Sequence, residues 1–483
     1  MTNSSRRCAS FGGATMLSRR TLLIGLTVLG LAGCATDRPY LVPGFPFLPG
    51  YARAQDVPPV LLSNTAWWQG LDDPVLDRLI TLALTDSLSL SVARERVTEA
   101  RAARGTVPGA AVLSPSATAR VSGTGNSGPV EQETLQLGLA WMLDPYGARR
   151  QELRAADARI DMSEAEVDAA RLLVLFNMAN AYTDLRYRQR LLSLARAELD
   201  SRQQTLALTR RLAAAESATR LDIVRSEARV AEIRAGLPDQ EAAVTAKLNE
   251  IAVLAGTAPG TLPADLMAAL TGGGQPRPGQ PRPGLSPQVG IPADLLRNRP
   301  DIRIAERRYY AAVAQIGVAE ASQYPSLSLT GTISLDALNG GARSVGYFFG
   351  PLLQFPSLPL DGAQAQVEIR QAQARQQHEA WKSTVLTAVL EVENALVAYQ
   401  AVTAGTQSSA QAARLYREAL DLTREVFERG EATLGDLIDA QEAVSGADRA
   451  LAGMALRHAQ SFIALNVRLG AGNAAEAGVG TSP

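Results

Sequence analysis

The sequence predicts a membrane α+β protein built twice from one module, in which a β-hairpin leads into a pair of very long antiparallel helices. Three observations predict it. Identities recur at a constant offset of 214 residues: Asn180-Ala181 as Asn394-Ala395, Leu206, Leu208 and Thr209 as Leu420, Leu422 and Thr423, Ala218, Thr219 and Asp222 as Ala432, Thr433 and Asp436, Val230 as Val444, and Gly256 as Gly470. A register held over such a distance marks an internal structural duplication, because chance identities drift. Two stretches of period-two alternation each precede a long proline-free run of helical pattern. The chain also opens with a leader that ends on a cysteine.

Composition narrows the function classes. The 47 basic residues nearly balance the 48 acidic ones, so no global attraction to nucleic acid is expected. Lysine occurs only at 247 and 382, aromatics are scarce and alanine is abundant, as in close-packed long helices rather than an enzyme core. There is no phosphate-binding loop, nucleophile elbow, CxxC or HExxH. The two histidines, His378 and His458, stand at helical positions where packed or solvated side chains are expected. Neither catalysis nor a metal or other cofactor is expected.

Residues 1–33 read as a signal peptide: Arg19 and Arg20 precede an apolar run, Leu22 to Ala32, too short to span a bilayer. Leu31-Ala32-Gly33-Cys34 matches the bacterial lipoprotein box, which predicts cleavage before a lipidated Cys34. Cys8 is lost with the leader, so the mature chain has no disulfide. Ala35 follows the cysteine where Asp would favour inner-membrane retention, which points to the outer membrane. Residues 34–64, with six prolines, form an extended arm. In the helical segment 65–112, Asp72-Asp73-Pro74 opens one helix with Val75, Leu76, Leu79, Ile80 and Leu84 at helical spacing, and a second runs from about Leu90 to Arg104.

Within 113–147 the period becomes two. Ala117, Ala119 and Val121 alternate with Thr118, Arg120 and Ser122, and Leu135, Leu137, Leu139 and Trp141 with Gln136, Gly138 and Ala140. The pattern returns in 324–362, where Leu327, Leu329, Gly331, Ile333 and Leu335 alternate with hydroxyl residues and a partner strand covers about Ser344 to Leu353. Apolar residues on one face and small hydroxylic ones on the other, with Trp141, Tyr347, Phe348 and Phe349 near strand ends, suit a transmembrane barrel with an aromatic girdle. A half-buried sheet of a soluble sandwich gives the same alternation; the lipoprotein leader favours the membrane.

Residues 148–256 and 363–470 form two helical hairpins. Ala148 to Ala215 lacks Pro and Gly, and from Ala363 to Arg429 the only glycine is Gly405. Some 65 residues make about 100 Å of helix, three times a hydrocarbon core, and the runs are too polar to lie in one. Turns at Glu216-Ser217 and Gly430-Glu431 reverse the chain into returning helices, the first interrupted by Gly236 and Pro238. Between the copies, 257–290 is a Pro- and Gly-rich linker and 291–323 an equatorial helix; 471–483 is a disordered tail.

One constellation stands out by position. Asp436 and Asp439 share a helix face just after the second turn, where the first copy has Asp222 and Arg225. An acidic pair favoured by the helix N-terminal dipole would account for it.

Hairpin, long helix, turn and returning helix, given twice behind a lipoprotein leader, resembles the TolC-type outer-membrane efflux proteins, in particular their OprM-like, NodT-type lipoprotein branch. The residues that carry the resemblance are Trp67-Trp68-x-x-Leu71-x-Asp73-Pro74-x-Leu76-Asp77-x-Leu79, Ile291-Pro292-Ala293-Asp294-Leu295-Leu296-x-x-Arg299-Pro300-Asp301-Ile302, Tyr324-Pro325, and Gly430-x-x-Thr433-x-x-Asp436-Leu437-Ile438-Asp439-Ala440. The resemblance implies a homotrimer whose protomers each give four strands to one 12-stranded transmembrane β-barrel, continued by a long periplasmic α-helical barrel. It implies a passive exit duct docked by its helical tips to a periplasmic adaptor (membrane fusion) protein and an inner-membrane transporter of the RND type, with outer-membrane lipid on acylated Cys34. In that family the narrowest point lies at the tips and carries rings of Asp, which fall here on Asp436 and Asp439, where like charges would raise one another's pKa and attract cations. Asp222 matches a residue that helps to hold the tip closed in relatives. The family's Tyr and Arg partners correspond to Phe427 and Ala432, which cannot hydrogen-bond, leaving Arg429, Arg220 and Arg225 as replacements.

Three alternatives use some of the same features differently. A type I protein-secretion duct shares the architecture, although the lipid box and the Arg-Pro-Asp segment lean toward efflux. A non-channel periplasmic spacer lipoprotein would use the helices without a barrel, and an adaptor would lack the two strand pairs.

Overall fold

The computed structural model describes residues 40–52, 66–123, 129–271, 279–284, 290–338 and 341–472. The leader, Cys34, most of the arm, much of the 257–290 linker and the tail beyond 472 lie outside the described residues, as does most of the loop expected at 123–129.

A 3-10 turn, Trp67–Leu71, precedes helices α1 (Pro74–Asp86) and α2 (Leu88–Gly105). Strands β1 (Ala111–Ser122) and β2 (Val130–Leu143) lead into α3 (Ala148–Ala214), which turns back as α4 (Arg220–Leu254). Short α5 (Ala264–Thr271) and α6 (Leu295–Asn298) flank the linker, and α7 (Pro300–Ala321) precedes β3 (Ser326–Leu338) and β4 (Ala342–Gln354). The second long pair is α8 (Asp361–Glu428) and α9 (Leu434–Arg468). Helices α3 and α8 have 67 and 68 residues, and α4 and α9 have 35 each. Contacts divide the chain into two compact units: Met1–Leu41, Ala103–Asp157 and Tyr310–Arg375 form one, and Val42–Ala102, Ala158–Tyr309 and Gln376–Pro483 the other.

The expected interruption at Gly236 and Pro238 is not found, since α4 runs through both. Pro238 is exposed, so water can serve the Arg234 carbonyl that loses its donor, and packing of the hairpin holds the helix straight through. The expectation that the long helices are uniformly too polar for a bilayer also needs adjusting. One 18-residue window in α8 reaches a mean hydropathy of 1.3. Trp381, Val385, Ala388, Val392 and Leu396 of that helix are buried in the core, whereas Leu386, Leu390 and Val397 are exposed within the chain.

The first unit is organised by an antiparallel sheet in the order β1-β2-β3-β4. Its register aligns residues of like character across all four strands. Leu113, Leu139, Gly331 and Phe349 stand in one row, and Pro115, Leu137, Ile333 and Tyr347 in the next. Because opposed residues in an antiparallel pair share a face, one face is apolar from Leu143, Leu327 and Leu353 to Ala117, Leu135, Leu335 and Val345. Glu133 and Arg343 then end the band toward the hairpin loops. The other face carries Ser114, Ser116, Thr118, Gln136, Thr332, Ser334 and Asp336, and Thr134 Oγ1 donates to Asp336 at 2.6 Å.

In the second unit, two indole-bearing residues open the core. Trp67 is fully buried among Leu71, Leu76, Leu79 and Ile80, Leu175, Met178 and Tyr182 of α3, and Phe462 and Ile463 of α9. Asp73 caps α1 by accepting from Val75 N at 3.0 Å, and the same carboxylate accepts from the Tyr182 hydroxyl, which takes a 2.8 Å bond from Arg186 Nε. Burial pushes the Tyr182 phenol far above its usual range, keeping it a neutral donor. The Trp-Trp and Asp-Pro residues are therefore core and cap.

The Arg-Pro-Asp segment closes the other end of this core. Arg299 is buried, forks onto Asp301 at 3.0 and 2.7 Å, reaches Glu391 at 3.0 Å, and donates to the Arg468 carbonyl that ends α9 at 2.9 Å. The neighbouring carboxylates raise its already high pKa against the opposing effect of burial. Past α9, Gly470 has φ +78°, and an added Cβ would lie 2.6 Å from the Asn298 carbonyl oxygen. Past α4, Gly256 has φ +77° and faces the Asp86 carbonyl still more closely. The repeat identity of these two glycines thus has a steric cause: each returning helix ends with its backbone pressed on another helix end.

Candidate functional site

The tips of the two helical hairpins are built alike. Helix α3 ends with Glu216 at φ +58°, and Ser217 N donates to Leu212 O at 2.8 Å; α8 ends with Gly430 at φ +76°, and Glu431 N donates to Val426 O at 3.1 Å. These are left-handed helix stops, which favour glycine. Two residues farther on, Thr219 and Thr433 cap α4 and α9. Thr219 Oγ1 donates to Asp222 Oδ2 at 2.6 Å and its N–H to the same atom at 2.9 Å, and Thr433 does the same to Asp436 at 2.6 and 2.8 Å. Both carboxylates sit at the third position of a capping box.

Since only the first copy places a side chain with a Cβ in the left-handed region, Gly430→Val is expected to cost the second tip about 1–2 kcal/mol, whereas Glu216→Gly relaxes the first. Amide hydrogen exchange at Glu431 and Ser217 measures both, with faster exchange in the first variant and slower in the second.

The four residues singled out at the tips therefore divide. Asp222 and Asp436 are structural caps, and within one chain each is held below the usual carboxylate range chiefly by its threonine hydroxyl. Asp439 and Arg225 stand one turn farther along α9 and α4, exposed. The candidate latch arginines also separate: Arg429 lies 3.6 Å from Glu431, while the charge of Arg225 further favours the ionised form of Asp222.

Just behind the tip is a contact that sequence reasoning missed. Buried Arg202 of α3 donates from Nη1 to Gln441 Oε1 at 3.2 Å and to the Ile438 carbonyl at 3.3 Å, and Gln441 Nε2 donates to Thr205 Oγ1 at 3.1 Å. This joins the two helical hairpins of one chain next to Asp439. A signal existed, because the repeat breaks here too: Arg202 corresponds to Tyr416 and Gln441 to Glu227. Farther along the hairpins, Arg449 pairs with Glu198 at 2.9 Å and Arg196 with Glu241 at 2.6 Å. His458 is packed against Thr403 at 3.2 Å, and burial lowers its pKa.

In the sheet, the four aromatic residues do not act together. Trp141, Tyr347 and Phe349 lie on the apolar face, but Phe348 alternates onto the polar one, so it leaves the expected girdle. Only Trp141 is near a strand end; Tyr347 and Phe349 are mid-strand. Phe349 lies over Gly331, which has no Cβ to meet it.

Comparison with known proteins identifies the family. The outer membrane efflux protein family matches residues 79–257 and 291–471, most of the chain. The chain belongs to this family. Nodulation protein T of Rhizobium leguminosarum bv. trifolii is 33% identical over 458 residues, 92% of this chain and 95% of that protein. The probable efflux pump outer membrane protein TtgC of Pseudomonas putida is 27% identical, with 94% of this chain and 96% of TtgC aligned. The structure of the outer-membrane channel OprN superposes with a TM-score of 0.80 at 27% identity, covering 90% of this chain and 99% of OprN. As an outer membrane efflux protein, the chain acts in the outer membrane and belongs to a class of channels rather than enzymes. The two matched segments each run from the helices before a strand pair to one residue past the glycine that ends a returning helix.

Proposed function

We propose that three copies of this chain form the outer-membrane exit duct of a tripartite efflux pump, conducting substrates passively from an inner-membrane RND transporter and a periplasmic adaptor. The carrying observation is the sheet. Its apolar face is uncovered, with Leu137 43%, Val345 67% and Tyr347 81% exposed, and among the described residues the outer edges of β1 and β4 pair with nothing. From Leu135 to Leu143 the band is about 27 Å along the strand, or ~21 Å at a tilt near 40°, close to the ~25 Å apolar belt of outer-membrane barrels. Three four-stranded sheets joined β4 to β1 would satisfy both edges as 12 strands, losing only the donors of Pro115 and Pro351.

The duplicated hairpins then give six similar tips to the adaptor. The gate reading rests on Asp439, with Arg225 at the equivalent position of the other hairpin, and with Asp436 and Asp222 shaping the turns that carry them. Acylated Cys34 anchors the arm in outer-membrane lipid, and Trp141 marks the periplasmic edge of the barrel. Purified trimer in a planar bilayer is expected to show a small cation-selective conductance. Asp439→Ala should reduce the selectivity and enlarge the current, and Asp436→Ala should act less strongly, through the cap. An unchanged current in both would remove these residues from the gate. Separately, Cys34→Ser should abolish incorporation of labelled palmitate, and persistent labelling would refute the anchor. Absence of heat-modifiable migration and of β signal in outer-membrane extracts would instead favour the spacer lipoprotein.

A further inference from the structure

Phe348 is a large apolar residue on the face where small and polar residues otherwise dominate. The register sets it in a row with Thr332, Gly138 and Ser114. Its same-face neighbours along β4 are Gly346 and Gly350, and its ring rests on Gly350, 3.3 Å from where a Cβ would be. Gly346 is equally bare, since a Cβ there would lie 2.8 Å from Ser334 Oγ. The side chain is 59% exposed. A phenyl ring set between two glycines on a hydroxylic wall gains little burial within the chain, and its neighbours leave space around it. Its sequence neighbours Tyr347 and Phe349 face the other way, which conceals this residue within an aromatic run.

Resting on the duct reading above, we infer that Phe348 is a constriction residue inside the barrel: three copies set three rings at one height of the bore, where they limit the width of passing solutes and offer them apolar contact. Twelve strands spaced ~4.8 Å and tilted about 40° make a backbone cylinder roughly 24 Å across. Rings reaching about 6–7 Å inward from three sides narrow that bore to roughly half, whereas the Ser, Thr and Gly residues of the same row intrude little. The wall at that height is otherwise wet, so three phenyl faces form a local apolar collar that favours solutes with apolar or aromatic surface over hydrated ions of similar size.

The test reads passage through the barrel from outside the cell, so a closed periplasmic tip does not mask it. Single cysteines are placed on the inner face on the loop side of the collar (Ser344→Cys), at it (Phe348→Cys) and on the helix side (Ser328→Cys), with Tyr347→Cys as the lipid-side control. A small charged methanethiosulfonate is expected to label the first three and spare Tyr347→Cys. A maleimide carrying a polyethylene glycol of about the bore's width should label Ser344→Cys readily and Ser328→Cys slowly. Adding Phe348→Ala should speed the latter at least fivefold, and Phe348→Leu by less. If the small reagent labels Tyr347→Cys but not Phe348→Cys, or if Phe348→Ala leaves the Ser328→Cys rate unchanged, the collar is refuted while the duct stands. If none of the three inner positions reacts in a folded trimer, the duct reading itself fails.

Discussion

Leu137→Arg is expected to abolish assembly in the outer membrane, whereas Gln136→Arg, one residue earlier, is expected to be tolerated. Leu137 lies in the apolar band one row inside its loop-side end at Leu135, opposite Pro115 and Ile333, and is 43% exposed. An arginine facing lipid costs about 2–4 kcal/mol at mid-depth of an outer-membrane barrel and less toward its edges, so three equivalent sites one row inside the band cost several kcal/mol per assembly. That is comparable with the whole stability of an ordinary domain. Gln136 alternates to the polar face, where a guanidinium stays hydrated. Heat-modifiable trimer recovered from outer membranes, and urea titration of protein folded into vesicles, measure both variants. Equal yields would mean that the face assigned to lipid is not in lipid.

Arg299→Ala is expected to lower the stability of the helical unit by about 2–4 kcal/mol, the second large effect. Three partners are lost together: Asp301, Glu391 and the last carbonyl of α9. The figure stays below that for a fully enclosed pair, because the Asp301 and Glu391 side chains are 47% and 38% exposed and recover some hydration. Arg299→Lys keeps the charge but not the planar fork, so it should retain one contact and lose about half of the effect. Dissociation temperature of the trimer and hydrogen exchange at the end of α9 report the loss. A change confined to the exposed Arg–Asp contact, under about 0.5 kcal/mol, would show that the capping of α9 is immaterial.

Much of the architecture was legible because periodicity was. Strong alternation and uninterrupted helical runs located four strands and four long helices within a few residues, and the offset of 214 residues matched their order. Pro238 misled because a local rule was outweighed by the packing of a long hairpin. The strand aromatics misled differently: three consecutive residues of one chemistry cannot share a strand face, and only the register shows that Phe348 is the odd one. At the tips, the repeat found the turn but not its division of labour. Thr433 and Asp436 carry the signature of a capping box, legible in the sequence and passed over for a reading of charge. Arg202 could not be paired with Gln441 from sequence, since 239 residues separate them and only folding brings the hairpins together.

The two bare glycines at Gly256 and Gly470 have a mechanical consequence. Each fixes the base of a 35-residue returning helix against a neighbouring carbonyl, with no side chain between to act as a cushion. Such a helix is a cantilever about 50 Å long. A rotation of roughly 6° at the clamped end, shared by the long helix to which the tip turn joins it, carries the tip about 5 Å sideways, a full strand spacing. Displacements too small to disturb the core around Trp67 are thus multiplied at the turn that leads into Asp439.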